Sequence, residues 1–203
     1  MNPPPDIVAS WEKFLNPESL KQNLLQCGLY LAAFEMLKGS LVGRPRDFFS
    51  REIVAVESPA SPEYEQRVLA LHKHAYTASA LWWRNQGAIS DDDLETLSRI
   101  REHRDKIAHN MPKIISTAAH NIDLDLLKAI NALLGKIDNW WIQNIEAATD
   151  PDRYSQFSEE EMAGAGSISF IFLSMMIPLV SGDDSQFRTL YSMWCGQKTP
   201  KQG

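Results

Sequence analysis

The stretch SDDDLETLSRIREHRDKIAHNMP, residues 90–112, decides the fold class of this chain. It opens with a serine and three aspartates, which is the pattern of a helix N-cap followed by a first turn rich in acidic residues. It ends at Pro112, which cannot continue a regular helix. Between these ends the apolar residues recur every three or four positions, the period of an amphipathic helix. The stretch therefore predicts one long helix that buries a single face.

The rest of the 203-residue chain shows the same helical period, with proline and glycine gathered between the periodic segments. We predict further helices over 6–15, 17–38, 63–85, 123–148, 168–180 and 184–194. Loop regions are predicted over 39–62, with a short strand or turn at 52–57, and over 150–166. Four of the helices are long, and their connections are short. The expected fold is all-α, an antiparallel four-helix bundle with extra short helices at both ends, in a single domain over 1–203.

Composition is that of a globular protein, with 44% hydrophobic and 23% charged residues. The net charge of −6 means that any contact with a polyanion has to use a local basic pocket. Cys27 and Cys195 are too few for a four-thiolate metal site and fit a reducing compartment. The N-terminus lacks the features of a secretory signal, and the apolar run 168–180 is shorter than the roughly 20 residues of a membrane span. We therefore expect a cytoplasmic location and no membrane partner.

Arg104 stands where the helical pattern predicts an apolar residue. On a projection at about 100° per residue it falls in the centre of the apolar stripe. The other members of that stripe are Leu97, Ile100, Ile107, Ala108 and Met111. A buried guanidinium needs a partner, and Glu35, itself on a largely apolar face of helix 17–38, is expected to pair with Arg104 or Lys38. For Glu35 a salt bridge that holds the helices together is the favoured reading over a catalytic role.

His109 follows five residues after Arg104, and its imidazole titrates near neutrality. Arg101, Asp105 and His109 are spaced four apart and form a polar ladder, so Asp105 is expected to orient His109 or raise its pKa. Arg104 and His109 are about 140° apart around the helix. They converge only if the arginine reaches across, if the helix end distorts, or if a second copy supplies the partner.

The segment RDKIAH, residues 104–109, resembles the motif of the HEPN superfamily of small helical domains from prokaryotic toxin–antitoxin and defence systems. The order of four long helices supports this resemblance, which covers about 17–148 and leaves a C-terminal helical extension at about 167–195. Spacing alone carries little weight, because Arg67 and His72 have the same separation. Arg104 and His109 differ from that pair in their context, because they lie late in a helix, just before a break.

The resemblance implies a homodimer in which two motifs meet to form one composite site, and a metal-independent endoribonuclease that needs no cofactor. His109 would act as acid or base and Arg104 would stabilise charge on the phosphate. Asp105 would orient the histidine, Asn110 could donate a further hydrogen bond, and Arg101 and Glu35 complete the expected substrate-binding set. RNA is the expected partner, with a possible antitoxin protein. Met111 stands where some toxins carry the tyrosine that their antitoxin modifies, so that form of regulation is not expected.

Two alternatives stay open: a module of the same fold that binds RNA or a nucleotide without cutting it, and a structural helical dimer in which Arg104 pairs with Glu35. The pairs Trp82-Trp83 and Trp140-Trp141 are each expected to direct one ring away from the core, toward an interface. Arg44 and Arg46 could contact phosphates. No metal site is predicted, because the remaining histidines lack convincing ligand spacing. These histidines are His72, His74, His103 and His120.

Overall fold

The predicted all-α class is confirmed by the structure. The computed structural model describes residues 4–50 and 60–197, and every regular element within those ranges is a helix. The strand or turn predicted at 52–57 lies outside the described residues.

The first two helices begin and end where the sequence predicts. Helix α1 spans Pro5–Leu15 and helix α2 spans Pro17–Lys38. The side chain of Asn16 accepts hydrogen bonds from the backbone N–H groups of Glu18 and Ser19, so it caps α2 as expected. The predicted loop from residue 39 is wrong at its start. The chain continues through a π-helical turn, Gly39–Gly43, into helix α3, Arg44–Phe49, because Pro45 lies in the first turn of α3, where its missing N–H costs nothing.

The single helix predicted over 63–85 is wrong. The chain forms helix α4, Pro62–Arg67, then a 3₁₀ turn, Leu69–Leu71, and then helix α5, Ala75–Asn85. His72 and His74 are extended between them, with the N–H of His74 donating to Nδ1 of His72 at 3.1 Å. The helical period of apolar residues is the same on both sides of this break. Periodicity therefore gave no sign of this break.

Helix α6, Asp91–Ser116, is the long helix predicted from the opening stretch. Ser90 and Asp93 form a capping box at its start. The helix bends at Asn110, whose φ of −126° and ψ of 21° are not helical. Pro112, two residues later, explains the bend, because in a straight helix its ring would meet the carbonyl of Ala108. The break or kink expected from Pro112 is thus a kink within one helix.

The C-terminal half is also helical, including the polar region predicted as a loop over 150–166. Caps at Asp150 and Ser158 start two short helices there, so that part of the prediction is wrong. Taken alone, none of the described helices has the length and apolar content to cross a membrane; Ile168–Val180 and Ser185–Cys195 meet those criteria only as a pair bent by 111°. The elements are α7 Leu124–Trp141, a π-helical turn Ile142–Glu146, α8 Ala147–Thr149, α9 Pro151–Tyr154, α10 Glu159–Ala163, α11 Ile168–Val180 and α12 Ser185–Gln197.

Helix α2 contacts most of the other long helices, although Leu24 and Leu25 on its outer side are 44% and 60% exposed. It packs against α6, α7, α1 and α11, and the buried side chains of these helices form one continuous cluster. The expectation that one tryptophan of each pair faces outward is wrong for Trp82 and Trp83, which are both buried. Trp83 donates from Nε1 to the carbonyl of Leu41 at 2.8 Å, and Trp82 meets Phe49 edge-on. Both rings are covered because the segment 39–49, predicted as loop, packs on α5 as helix.

Candidate functional site

Arg104 lies between Ile100 and Ile107, two residues that are completely buried. Its own side chain is 32% exposed because the guanidinium reaches the surface between α6 and α2. There Nη2 lies 3.2 Å from Oε1 of Glu35, and Lys38 Nζ lies 3.3 Å from Oε2 of the same carboxylate. Glu35 therefore pairs with both of the cations that the sequence suggested. The ion pair joins the two helices at the rim of the core.

Two aromatic rings pack against the two guanidinium groups of this site. The Cζ atom of Arg104 lies 5.2 Å from the centre of the Phe34 ring, and that of Arg101 lies 5.8 Å from the Tyr76 ring. Cation–π contacts of this kind hold a guanidinium in place while leaving its N–H edges available. The Nε atom of Arg104 is buried and has no hydrogen-bond partner. Because this atom is buried, the guanidinium meets the surface only through Nη1 and Nη2, which donate to Asp105 and Glu35.

A surface cavity of about 190 Å³ opens over these side chains. Three cations, Lys38, Arg101 and Arg104, face it together with the carboxylate of Asp105. Glu35 borders the same cluster through its contact with Arg104. Counted together with Glu35, three cations meet two carboxylates, so the cluster has a formal excess of one positive charge in a chain whose net charge is −6. The lining residues are Phe34, Lys38, Tyr76, Arg101, Arg104 and Asp105.

His109 lies outside this cavity. Its side chain is exposed in the last helical position before the kink at Asn110, and within the described part of the chain it makes no hydrogen bond or ion pair. The expected contact between Asp105 and His109 is wrong, because Oδ1 of Asp105 accepts from Nη1 of Arg104 at 3.2 Å. Asp105 therefore orients the arginine and not the histidine.

The outward polar ladder on α6 is present, with Arg101 and His109 exposed and Asp105 partly exposed. Ala108, expected in the buried stripe, is exposed beside His109. His109 is five positions after Arg104, which corresponds to about 7.5 Å along the helix and about 140° around it. Within a single chain the guanidinium and the imidazole therefore face different surroundings, as the projection predicts.

Arg44, which together with Arg46 could contact phosphates according to the sequence, is engaged inside the protein. Its Nη2 forms an ion pair with Oδ1 of Asp138, a carboxylate that is completely buried in α7. The other oxygen of Asp138 accepts from the backbone N–H of Ser167 at 2.8 Å. The one sequence feature that pointed to this ion pair was the position of Asp138 on the apolar face of helix 123–148. Its partner lies 94 positions away and could not be identified from local sequence.

His103 is a second residue that sequence reasoning discounted. Its Nε2 accepts a hydrogen bond from the backbone N–H of Asp123 at 3.1 Å, and its ring packs edge-on against Tyr30 at 4.9 Å. Burial lowers the pKa of His103 below its usual value of 6.5. The neutral imidazole thus serves as an internal acceptor at the start of α7.

Within residues 4–50 and 60–197, no group of three or more histidine, cysteine, aspartate or glutamate side chains is placed to hold a metal ion. Comparison of the chain with known protein families, with curated proteins and with solved structures finds no match.

Proposed function

We propose that this chain is a metal-independent endoribonuclease of the HEPN type, with a composite site formed by two copies. The observation that carries the proposal is the pairing of a cationic cavity around Arg104 with an exposed, unbonded His109 five residues later on the same helix. Arginine supplies planar, charge-assisted donors for a phosphate, and histidine supplies a group that titrates near neutral pH.

The chemistry requires no group beyond these residues and the RNA. The 2′-hydroxyl attacks the adjacent phosphorus while one His109 removes its proton, and the 5′-oxygen leaves as it takes a proton from the other copy's histidine. Arg104 stabilises the charge that builds on the non-bridging oxygens. The products are a 2′,3′-cyclic phosphate and a 5′-hydroxyl. Asn110, exposed at the kink, is the candidate for a further hydrogen bond to the substrate.

Small side chains support an approach between two copies at this surface. Gly28, Ala32 and Glu35 share one outer face of α2, and Ala108 and His109 lie on an outer face of α6. The ion pair of Arg104 with Glu35 brings these two helices together. Nothing lies within 4 Å of the position that a Cβ atom on Gly28 would take, so a second helix has room to approach. A dimer interface at this surface would place His109 of one copy beside the Arg104 cavity of the other.

The proposal includes the finer fold that goes with the HEPN resemblance. It takes about 17–148 as an antiparallel four-helix core and about 167–195 as a helical extension. We propose that the protein acts in the cytoplasm in a toxin or phage-defence setting, with RNA as its substrate and an antitoxin protein as its candidate regulator.

The test uses purified wild-type protein and the variants His109→Ala and His74→Ala, with single-stranded RNA in EDTA. His74 is also exposed and serves as the matched control. We expect the wild type and His74→Ala to release fragments with cyclic phosphate ends, and His109→Ala to lose at least about 100-fold in rate with an unchanged circular dichroism spectrum. Equal cleavage by His109→Ala would contradict the proposal.

A mixture of wild-type protein with an excess of His109→Ala chains tests the composite site. Each mixed dimer has one histidine where the proposed mechanism needs two, so activity per wild-type chain is expected to fall as the fraction of mixed dimers rises. If activity per wild-type chain is unchanged by the excess, the histidines of two copies do not work together in one site.

A second candidate function is binding of RNA or a nucleotide without cleavage. It is favoured by the cavity itself, which gathers Lys38, Arg101 and Arg104 but not His109. Under this alternative the wild type binds single-stranded RNA in a salt-dependent way, Arg101→Ala weakens binding, and no cyclic phosphate appears. The cleavage experiment above separates the two functions directly.

A further inference from the structure

A surface cavity of about 470 Å³ lies between helix α1 and the C-terminal end of helix α6. Its volume falls within the range of about 300–1,000 Å³ that is usual for small-molecule sites. It shares no lining residue with the cavity around Arg104 and is therefore a separate feature of the molecule. The residues that line it are Asp6, Ile7, Ser10, Trp11 and Phe14 of α1, and Ser116 and Thr117 at the end of α6.

Polar contacts between α1 and the end of α6 fix the two walls of this cavity. Oγ of Ser10 accepts from the N–H of Ala118 at 3.1 Å. Nζ of Lys13 donates to the carbonyl of Ile114 at 2.7 Å and to that of Thr117 at 3.0 Å. The walls therefore come from two elements that hydrogen bonds hold in register, which is what a ligand site needs in order to be formed before its ligand arrives.

The three hydroxyl groups that line the cavity offer acceptors to a ligand and not donors. Oγ of Ser10, Oγ of Ser116 and Oγ1 of Thr117 each donate to a backbone carbonyl one turn earlier in the chain. Oγ1 of Thr117 also lies 3.0 Å from Nδ1 of His120, so its proton is used within the protein in either arrangement. A hydroxyl has one proton and two lone pairs. What these groups present to the cavity is therefore oxygen lone pairs.

Asp6 is the one charged side chain among the seven lining residues. Its carboxylate makes no hydrogen bond or ion pair in the part of the chain that the structure describes. Lys13, a cation that reaches the same end of α6, is engaged there by backbone carbonyls. The charge that the protein leaves unpaired in the cavity is therefore negative, and it favours a positively charged ligand.

Trp11 and Phe14 give the cavity an aromatic wall. Their rings meet edge-on with centroids 6.4 Å apart, and the side chains are 55% and 38% exposed. Such rings pack against the apolar part of a ligand, and their faces attract a cation. The indole N–H of Trp11 is the one side-chain donor among the lining residues. The cavity thus combines an aromatic surface with an unpaired carboxylate and oxygen acceptors.

We propose that this cavity binds a small organic ammonium ion, a protonated primary amine that carries an aromatic group. Its ammonium donates to the carboxylate of Asp6 and to hydroxyl oxygens at the end of α6, and its ring packs on Trp11 and Phe14. A carboxylate or phosphate ligand would be repelled by Asp6, and a neutral aromatic ligand would use only the rings. This site does not depend on the proposed nuclease activity.

The probe for this site is phenethylammonium, titrated into the full-length protein near neutral pH, with dissociation constants measured by ligand-observed NMR. Phenethyl alcohol and phenylacetate are its neutral and anionic counterparts with the same ring. We expect phenethylammonium to bind about tenfold more tightly than either counterpart, because it alone gains both the carboxylate and the cation–π contact. The proposal is overturned if phenethyl alcohol binds equally well, or if phenethylammonium does not bind.

Asp6→Asn is expected to weaken binding of phenethylammonium about fivefold, since it removes the charge and keeps the shape of the side chain. Asp152→Asn is the matched control, because Asp152 is likewise an exposed aspartate in the first turn of a helix, and it should leave the affinity unchanged. Equal affinities of these two variants would overturn the proposal. His109→Ala should bind as the wild type does, so this proposal and the nuclease proposal can fail separately.

Discussion

Arg104 and Glu35 form an ion pair in which the guanidinium is the more buried partner. The arginine side chain is 32% exposed and the glutamate 51%, with 3.2 Å between Nη2 and Oε1. A pair this exposed contributes little to stability, because solvent screens it. Under the proposed function, Glu35 is a counter-ion of Arg104 that an entering phosphate would replace.

The first prediction concerns Glu35→Gln. We expect the free energy of unfolding in urea to change by less than about 1 kcal/mol. We expect affinity for single-stranded RNA to rise, because the cavity loses one negative charge. The exposed pair of Lys21 and Glu18 provides the control variant Glu18→Gln, which should alter neither quantity. A loss of more than about 2 kcal/mol in Glu35→Gln would favour the structural reading of this pair.

The contacts of Arg104 were predicted from the sequence more fully than contacts elsewhere in the chain. An arginine in the centre of an apolar helical stripe is visible from spacing alone, and its likeliest acidic partner was found on another apolar helix. Whether the side chain of Asp105 would contact Arg104 or His109 could not be predicted from the sequence. Asp105 can reach either neighbour on α6, and the choice of Arg104 depends on how α2 places Glu35 beside it.

The second prediction concerns the buried pair of Arg44 and Asp138. Asp138→Ala is expected to destabilise the protein by about 3–5 kcal/mol, because it leaves a guanidinium without its partner in the core and frees the N–H of Ser167. The double variant Arg44→Met/Asp138→Leu is expected to lose less than Asp138→Ala alone. Urea unfolding monitored by tryptophan fluorescence measures both, and equal losses would argue against coupling between the two residues.

This pair also shows where sequence analysis fails. The segment 39–49 was predicted as loop from its glycines and proline, yet it is helical and carries Arg44 to the buried carboxylate. Contacts between distant residues decide such cases. The starts of α2 and α6 were predicted well, because caps such as Asn16 and Ser90 act on their own neighbours.

The third prediction concerns Lys13, whose pKa is lowered by burial of its ammonium group. Lys13→Met is expected to cost about 1.5–3 kcal/mol, because the hydrogen bonds of a charged donor to the end of α6 are lost. Lys21→Met, which removes an exposed lysine of α2, is expected to cost less than about 0.5 kcal/mol. Hydrogen exchange should show α1 losing protection in Lys13→Met. Unchanged exchange in α1 would mean that Lys13 does not hold this helix in place.

The fourth prediction concerns pH and His103. Burial lowers the pKa of this imidazole in the folded protein below 6.5, its usual value. As the pH falls through 6.5, the unfolded chain takes up a proton that the folded chain does not, so stability falls. Protonation also removes the acceptor that Nε2 offers to the N–H of Asp123. We therefore expect wild-type protein to lose stability between pH 7.5 and 5.5.

His103→Gln is the matched variant, because its amide oxygen can accept the same hydrogen bond without titrating. It is expected to lose less stability than the wild type between these two pH values, whereas His74→Gln, at an exposed position, is expected to follow the wild type. Urea unfolding at both pH values measures the difference. If His103→Gln and the wild type lost equal stability, the acceptor role of His103 at the start of α7 would have to be abandoned.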